Sequence, residues 1–449
     1  MVSAGESRRA ALGILALTVP LPLQWQSLGH GPFGTIRWFH IGAIVMVLIG
    51  RPSRNELRAV LDKLRPLPAA SALVTICAVI AAFGWHGNWV APLQVFVYIV
   101  FGIFGGACVL KAFANRSGLR LLALSGPLTL FTFIAMFSQS IQRAGVNAAR
   151  TFQQALLQGD THALEFGLYR AAFRTTDPSA RDNLRHEVVA ALLVATYLSI
   201  AACAYLGQFK AINAVSTLIV FALVSVSLSR SVMIAMVIPI ILAAIKVMSR
   251  GRLPVWGFLG VIIGLGASPY LVAKLGPLLA ARFQDTGSYN GRVSNLISLS
   301  GSDVLHRLVF GGQTLANSTH MWVIDSFLNG SWLAGFAAAL AVLVMVRLAA
   351  ETTRLYFRVG GLFYYALMAG VILTIMRAFT TGGGNIYEGE WFALGLAAAC
   401  LYIVRDRGEE DTPPRFQPTA VAAVTSAEQA ESTANGDARS DTLPAVAVR

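Results

Sequence analysis

Apolar runs of close to twenty residues recur along almost the whole chain, and no other feature limits its fold as tightly. A run of that length, wound as a helix, covers the hydrocarbon core of a bilayer. Inside lipid a helix also satisfies its own backbone hydrogen bonds. The composition agrees, with 55% of the 449 residues hydrophobic, 13% charged and a mean hydropathy of +0.63. Soluble domains rarely reach that balance. The expected fold class is all-α, a polytopic integral membrane protein with about twelve transmembrane helices. These centre near residues 10–28, 36–50, 69–85, 90–110, 119–141, 187–206, 211–228, 231–248, 254–275, 320–346, 358–378 and 390–404.

The first run follows Arg8 and Arg9, as the apolar part of a signal peptide would. It lacks a small-x-small cleavage site and contains Pro20 and Pro22, so it reads as a span. The stretch after residue 404, beginning "RDRGEEDTPPRFQ", is polar and proline-containing. It reads as a disordered tail over residues 405–449, leaving 1–404 as one membrane domain. Cys77, Cys108, Cys203 and Cys400 all fall inside apolar runs, with neither metal spacing nor a disulfide framework.

A net charge of +13 would point to nucleic acid in a soluble chain. Here it is the arginine excess that orients membrane spans, so the expected partner is the lipid bilayer and not nucleic acid. Arg51, Arg54, Arg58, Lys63 and Arg65 form one loop cluster, and Lys111, Arg116 and Arg120 a second. Lys246, Arg250 and Arg252 form a third, and Arg347, Arg354 and Arg358 a fourth. All four fall on the same side, which the positive-inside rule makes cytoplasmic together with both termini. Two long loops, about 142–186 and 276–319, then face outside.

The first outer loop runs against that bias. It carries Arg143, Arg150, Arg170, Arg174, Arg181 and Arg185 without a lysine. An arginine-biased genome explains the choice over lysine, and Asp160, Glu165, Asp177, Asp182 and Glu187 are available as ion-pair partners. The placement itself points to anions, because guanidinium forks grip phosphate oxygens bidentately.

Arg230, in "VSVSLSRSVMIAMV", stands at an outer boundary where a helix begins, beside a helix dipole that also favours anions. Snorkelling to lipid headgroups is its structural alternative. In the second outer loop "NSTH" reads as a helix start, capped by Asn317, Ser318 or Thr319. His320 then occupies a first turn, where the dipole disfavours imidazolium and leaves a neutral ring able to accept a proton. The alternative is a capped surface histidine. Asp325 and Asn329, four residues apart, share one face of the same helix and suit a cavity wall, although helix-packing hydrogen bonds explain Asn329 equally well. His320 and Asp325 are five apart and do not align, so no relay within this helix is expected.

In these elements the chain resembles the O-antigen ligase and O-antigen polymerase superfamily of bacterial membrane glycosyltransferases. The matching pieces are the serine–arginine helix start "LSRSVMIA", the Gly-Arg pair of "YNGRVSNL", the turn "RLVFGGQ" and the histidine span "THMWVIDSFLNGSWLAG". Their order, spacing and sidedness carry the likeness, strongest from about Ser225 to Gly335. The chain departs from the family in Met321 after the histidine, in Asn329 where an acidic residue is usual, and in the turn "GGQ". The absence of a second histidine tilts the reading toward polymerase.

The resemblance implies a helical membrane glycosyltransferase of the GT-C type in the bacterial inner membrane. Its implied donor is an undecaprenyl-diphosphate-linked oligosaccharide, and its implied partners are a glycan acceptor and other polysaccharide-assembly proteins. It implies Arg230 and Arg292 at the donor diphosphate, with Arg170 or Arg174 as a further contact. His320 is the implied base that activates the acceptor hydroxyl and gives an inverted linkage. No metal or other cofactor is implied, because arginines can stabilise the leaving diphosphate by themselves.

Three rivals stand beside this reading. A metal-dependent transferase would use Glu388 and Glu390 of "NIYEGEW". A lipid-linked glycan transporter would show related halves with polar groups at the midplane, and the sequence displays no repeat. A structural scaffold leaves two arginine-bearing outer loops unexplained. The glycan, the linkage and the acceptor are not encoded in any motif.

Overall fold

The computed structural model describes residues 2–23, 27–31, 34–85, 90–136, 153–154, 157, 186–226, 230–249, 301–311 and 322–380. The chain divides into two units, Met1–Pro413 and Pro414–Arg449, and every described residue belongs to the first. The expected spans at 254–275 and 390–404 and the expected tail lie outside the described residues.

The first span is shorter and earlier than expected. Helix α1 (Ala4–Thr18) starts at Ser3, whose hydroxyl accepts from the Glu6 N–H at 3.2 Å while the Glu6 carboxylate accepts from the Ser3 N–H at 3.0 Å. Arg8 and Arg9 therefore lie inside the helix. It stops short of Pro20, whose ring cannot donate and whose predecessor is biased away from helix. A 3-10 turn at Leu21–Leu23 follows, then an antiparallel hairpin of β1 (Ser27–Gly31) and β2 (Gly34–Arg37). The described residues are otherwise helical. Helix α2 (Trp38–Gly50) crosses α1 closely through small residues. A Cβ on Gly13 would stand 2.9 Å from the Met46 carbonyl, and one on Gly42 the same distance from that of Ala16.

Helix α3 (Arg54–Leu64) is amphipathic and buries Ala59, Val60 and Leu64 while packing against α5 (Val90–Phe113). Helix α4 (Leu67–Trp85) also packs on α5. The expected span 119–141 is interrupted, with α6 (Arg116–Leu122) and α7 (residues 125–136) separated by a short break. The break exposes the Ala123 carbonyl, which accepts from Ser199 Oγ at 2.6 Å and Asn213 Nδ2 at 2.5 Å. Polar side chains from neighbouring helices thus satisfy what the broken helix releases, as an apolar interior requires.

Those donors sit on α8 (His186–Leu206), which is enclosed almost throughout its length, and α9 (Ala211–Val226). Helices α10 (Arg230–Ser249), α11 (Gly301–Phe310), α12 (Trp322–Arg358) and α13 (Leu362–Thr380) complete the described set. The α13 helix packs against α8, α10 and α12, and so occupies the centre of this half. At 37 residues α12 is the longest described helix, and its segment Ser331–Arg358 alone is long enough to cross a membrane. It continues past the expected end at 346 because Leu348, Thr352 and Tyr356 stay buried at four-residue intervals.

Four helical segments are long and apolar enough to cross a membrane: Arg116–Met136, Val188–Leu206, Ser331–Arg358 and Leu362–Phe379. The described region has the composition and helix lengths of a helical membrane protein.

The basic clusters meet at one end of the bundle. Lys111 donates to the Arg51 carbonyl at 2.8 Å, and Lys63 pairs with Glu351 at 3.3 Å. Arg347 donates to the Lys63 carbonyl, and Lys246 donates to the Tyr356 carbonyl while standing 4.5 Å above that ring. Ser7 Oγ reaches the Ala112 carbonyl at 2.9 Å, which brings the start of α1 to the same end. An aromatic layer backs it. Tyr205 packs 5.3 Å from Phe113 and 5.5 Å from Phe363, and Tyr356 packs 6.1 Å from Tyr365.

Candidate functional site

Each helix of the α8–α10–α12–α13 group has one end in the cationic layer, so its other terminus marks the opposite end of the bundle. From Lys246, α10 runs back sixteen residues to Arg230, about 24 Å. From Tyr365, α13 runs on twelve residues to Arg377, about 18 Å. A straight α12 would carry Asp325 thirty-one residues from Tyr356, about 46 Å, and far past both.

The α12 helix is not straight. Ser331 has φ of 71°, a left-handed value that costs a residue with a Cβ roughly 1–2 kcal/mol. The Phe327 ring lies against the Gly335 Cα, where any Cβ would overlap the ring. Eight residues of regular helix would hold positions 327 and 335 about 12 Å apart along the axis. The first turns of α12 therefore bend back at Ser331 toward its own body. This bend explains how Trp322 and Asp325, 1% and 0% exposed, are enclosed at the start of so long a helix.

Measured along their own helices, the start of α10, the folded start of α12 and the last turns of α13 therefore all lie away from the cationic layer. Arg230 is helical, the first described residue of α10. Its side chain lies outside the described residues, as does that of Asn329, whose backbone sits at the α12 bend. Asp325 is completely buried in the first turn of α12. His320, Arg292, Arg170 and Arg174 lie outside the described residues, and so do Glu388 and Glu390. In sequence His320 precedes Trp322, the first residue of α12, by two positions.

The sequence reading passed over Arg377. Its side chain is 1% exposed on α13, among the largest fully buried groups of the molecule. The signal was present as a lone cation in "LFYYALMAGVILTIMRAFT", where an arginine within an apolar span marks a functional group by default. A guanidinium stays charged under all ordinary conditions, so an interior one creates a strong local field for anions. Asp325, in the first turn of α12, is likewise fully buried.

No protein-family model matches the sequence, and no curated protein matches it significantly.

Proposed function

We propose that the chain is a glycosyltransferase of the bacterial inner membrane, with about twelve spans, a GT-C-type bundle and both termini cytoplasmic. It polymerises a surface polysaccharide from undecaprenyl-diphosphate-linked oligosaccharides on the outer face, without a metal ion. One observation carries the reading. The serine–arginine helix start, the Gly-Arg pair, the glycine turn and the histidine span follow one another in family order between Ser225 and Gly335. The helical placement of Arg230 and the burial of Asp325 and Arg377 support it.

The chemistry then runs as a single displacement. His320 takes the proton of the acceptor hydroxyl, whose oxygen attacks the anomeric carbon from the face opposite the diphosphate. The bond from that carbon to the diphosphate oxygen breaks, and undecaprenyl diphosphate leaves with inverted linkage at the sugar. Arg230 and Arg292 stabilise the growing negative charge on the leaving oxygens, assisted by Arg170 or Arg174. Asp325 and Asn329 shape the cavity below His320, and Arg377 adds positive potential from α13.

Purified protein supplied with a matched lipid-linked oligosaccharide as its sole sugar substrate tests the proposal. The expected product is a size ladder that disappears in His320→Ala and Arg292→Ala. A ladder that survives both substitutions removes their assigned roles. Transfer only when lipid A-core is added would make the protein a ligase. Movement of lipid-linked sugar across proteoliposomes, unaffected by His320→Ala, would make it a transporter.

A further inference from the structure

Two short helices of this chain are amphipathic, α3 and α11, and they treat their apolar faces differently. The α3 helix buries Ala59, Val60 and Leu64 within the protein. The α11 helix, "GSDVLHRLVF", buries none of its residues. At 100° per residue Val304, Leu305, Leu308 and Val309 share one arc of α11, and Ser302, Asp303, His306 and Arg307 lie around the other. Leu305 and Val309 are 65% and 47% exposed, although α11 packs against α12. The surface is apolar where a water-facing helix is polar.

We propose that α11 lies along the headgroup–acyl boundary of the bilayer, with Leu305 and Val309 inserted among the upper acyl chains. Two observations select lipid as the occupant. The first is that α11 packs on α12, a helix long and apolar enough to cross a membrane. On α12, Trp332, Phe336 and Leu343 repeat on one side and are each more than half exposed, a pattern that hydrocarbon covers in a membrane. The second is charge. His306 and Arg307 on the polar arc offer donors to headgroup phosphates, and Asp303 occupies the first turn, where the helix dipole favours an acid. The His306 ring packs 5.1 Å from Phe310. Deeper insertion would take Asp303 and Arg307 into hydrocarbon, so the boundary is the depth that suits both arcs.

The inference does not rest on the glycosyl-transfer reading, and it concerns membrane contact alone. The test is a photo-crosslinking amino acid, p-benzoylphenylalanine, placed singly at Leu305, Val309 and the control Asp303 in the full-length chain, irradiated in native membranes. These are exposed positions, where substitution leaves the core intact. Phospholipid adducts detected by mass spectrometry are expected at 305 and 309, at least about fivefold above those at 303. Equal labelling at the three positions, absence of lipid adducts, or crosslinks from 305 and 309 into this chain, a second copy or another protein would overturn the proposal.

Discussion

The two ends of the bundle handle charge in opposite ways. At the cationic end Lys63 and Arg347 are partly exposed while Lys111 and Lys246 are 8% and 5% exposed, and each of the four reaches a named carbonyl or carboxylate. These pairings tie helix ends together, and the exposed ones do so at little cost. At the opposite end Asp325 and Arg377 are enclosed, 0% and 1% exposed, where desolvation of an ionised group is expensive. Cations of the first kind serve topology and staple the fold. Charges of the second kind persist when something other than stability requires them.

The largest expected contrast comes from removing one cation at each end. Arg377→Met keeps much of the side-chain volume and removes the charge, whereas Lys63→Met removes a partly exposed pair with Glu351. If the opposite end hosts the transfer chemistry, Arg377→Met lowers turnover of the lipid-linked donor by roughly 100-fold, the scale for loss of one preorganised charge stabiliser. Lys63→Met changes turnover less than about twofold and stability by under about 1 kcal/mol. Similar losses of turnover for the two variants would erase the functional distinction between the ends.

The bend in α12 gives the next effect. Gly335→Val drives a side chain into the Phe327 ring and opposes the fold-back that encloses Asp325. Overpacking of this kind costs about 1–3 kcal/mol. Reversible unfolding of the purified protein in mixed micelles measures it, with Phe327→Ala added in a second variant to make room. Recovery of stability in the double variant sharpens the assignment of the bend to this contact. No loss in the single variant would mean that the ring moves freely and that the bend has another cause.

What the sequence revealed and what it concealed divide along the same line. Apolar helices were legible because apolar length is a local property, and the boundaries of α8, α9 and α10 fall within about two residues of expectation. The early stop of α1 was also encoded locally, in Pro20 and Pro22, but hydropathy outweighed proline in the reading. The break between α6 and α7 was also encoded locally, in Pro127, which has no N–H for the Ala123 carbonyl four residues before it. What was not legible is which groups take that carbonyl instead, because Ser199 and Asn213 are 76 and 90 residues away from Ala123. The bend at Ser331 left a local trace in Asn329 and Gly330, a dipeptide that marks turns, but the long apolar run around it outweighed that signal. Arg377 was visible as a residue and invisible as a member of the site, because only the packing of α13 on α10 and α12 brings it to that end.

A smaller effect lies in the aromatic layer. Lys246→Met removes the donor to the Tyr356 carbonyl and the cation above that ring, which together hold α10 to α12. The expected loss is about 1–2 kcal/mol by the same unfolding measurement. Arg65→Ala, which breaks an exposed pair with Asp62 at 3.1 Å, should fall within about 0.5 kcal/mol of the parent. A larger cost for Arg65→Ala than for Lys246→Met would move the staple from the aromatic layer to the surface charges.

The smallest effect is a titration at the start of α1. The Glu6 carboxyl is held below its ordinary value, first by the Ser3 N–H, then by the Ser3 hydroxyl, with Lys111 and Arg9 adding positive charge. A carboxyl depressed in the folded state contributes stability above its unfolded value, and that contribution is lost as pH falls through the folded value. Glu6 is fully exposed, so the consequence is local fraying and not unfolding. Amide exchange in the first turn of α1, corrected for intrinsic rates, should accelerate as the pH drops below the usual carboxylate range. Ser3→Ala should raise the exchange rate at neutral pH and flatten its pH dependence. Ser3→Ala keeps the residue 3 N–H, so persistence of the full dependence would remove the hydroxyl's share and leave that N–H, with Lys111 and Arg9, in control of Glu6.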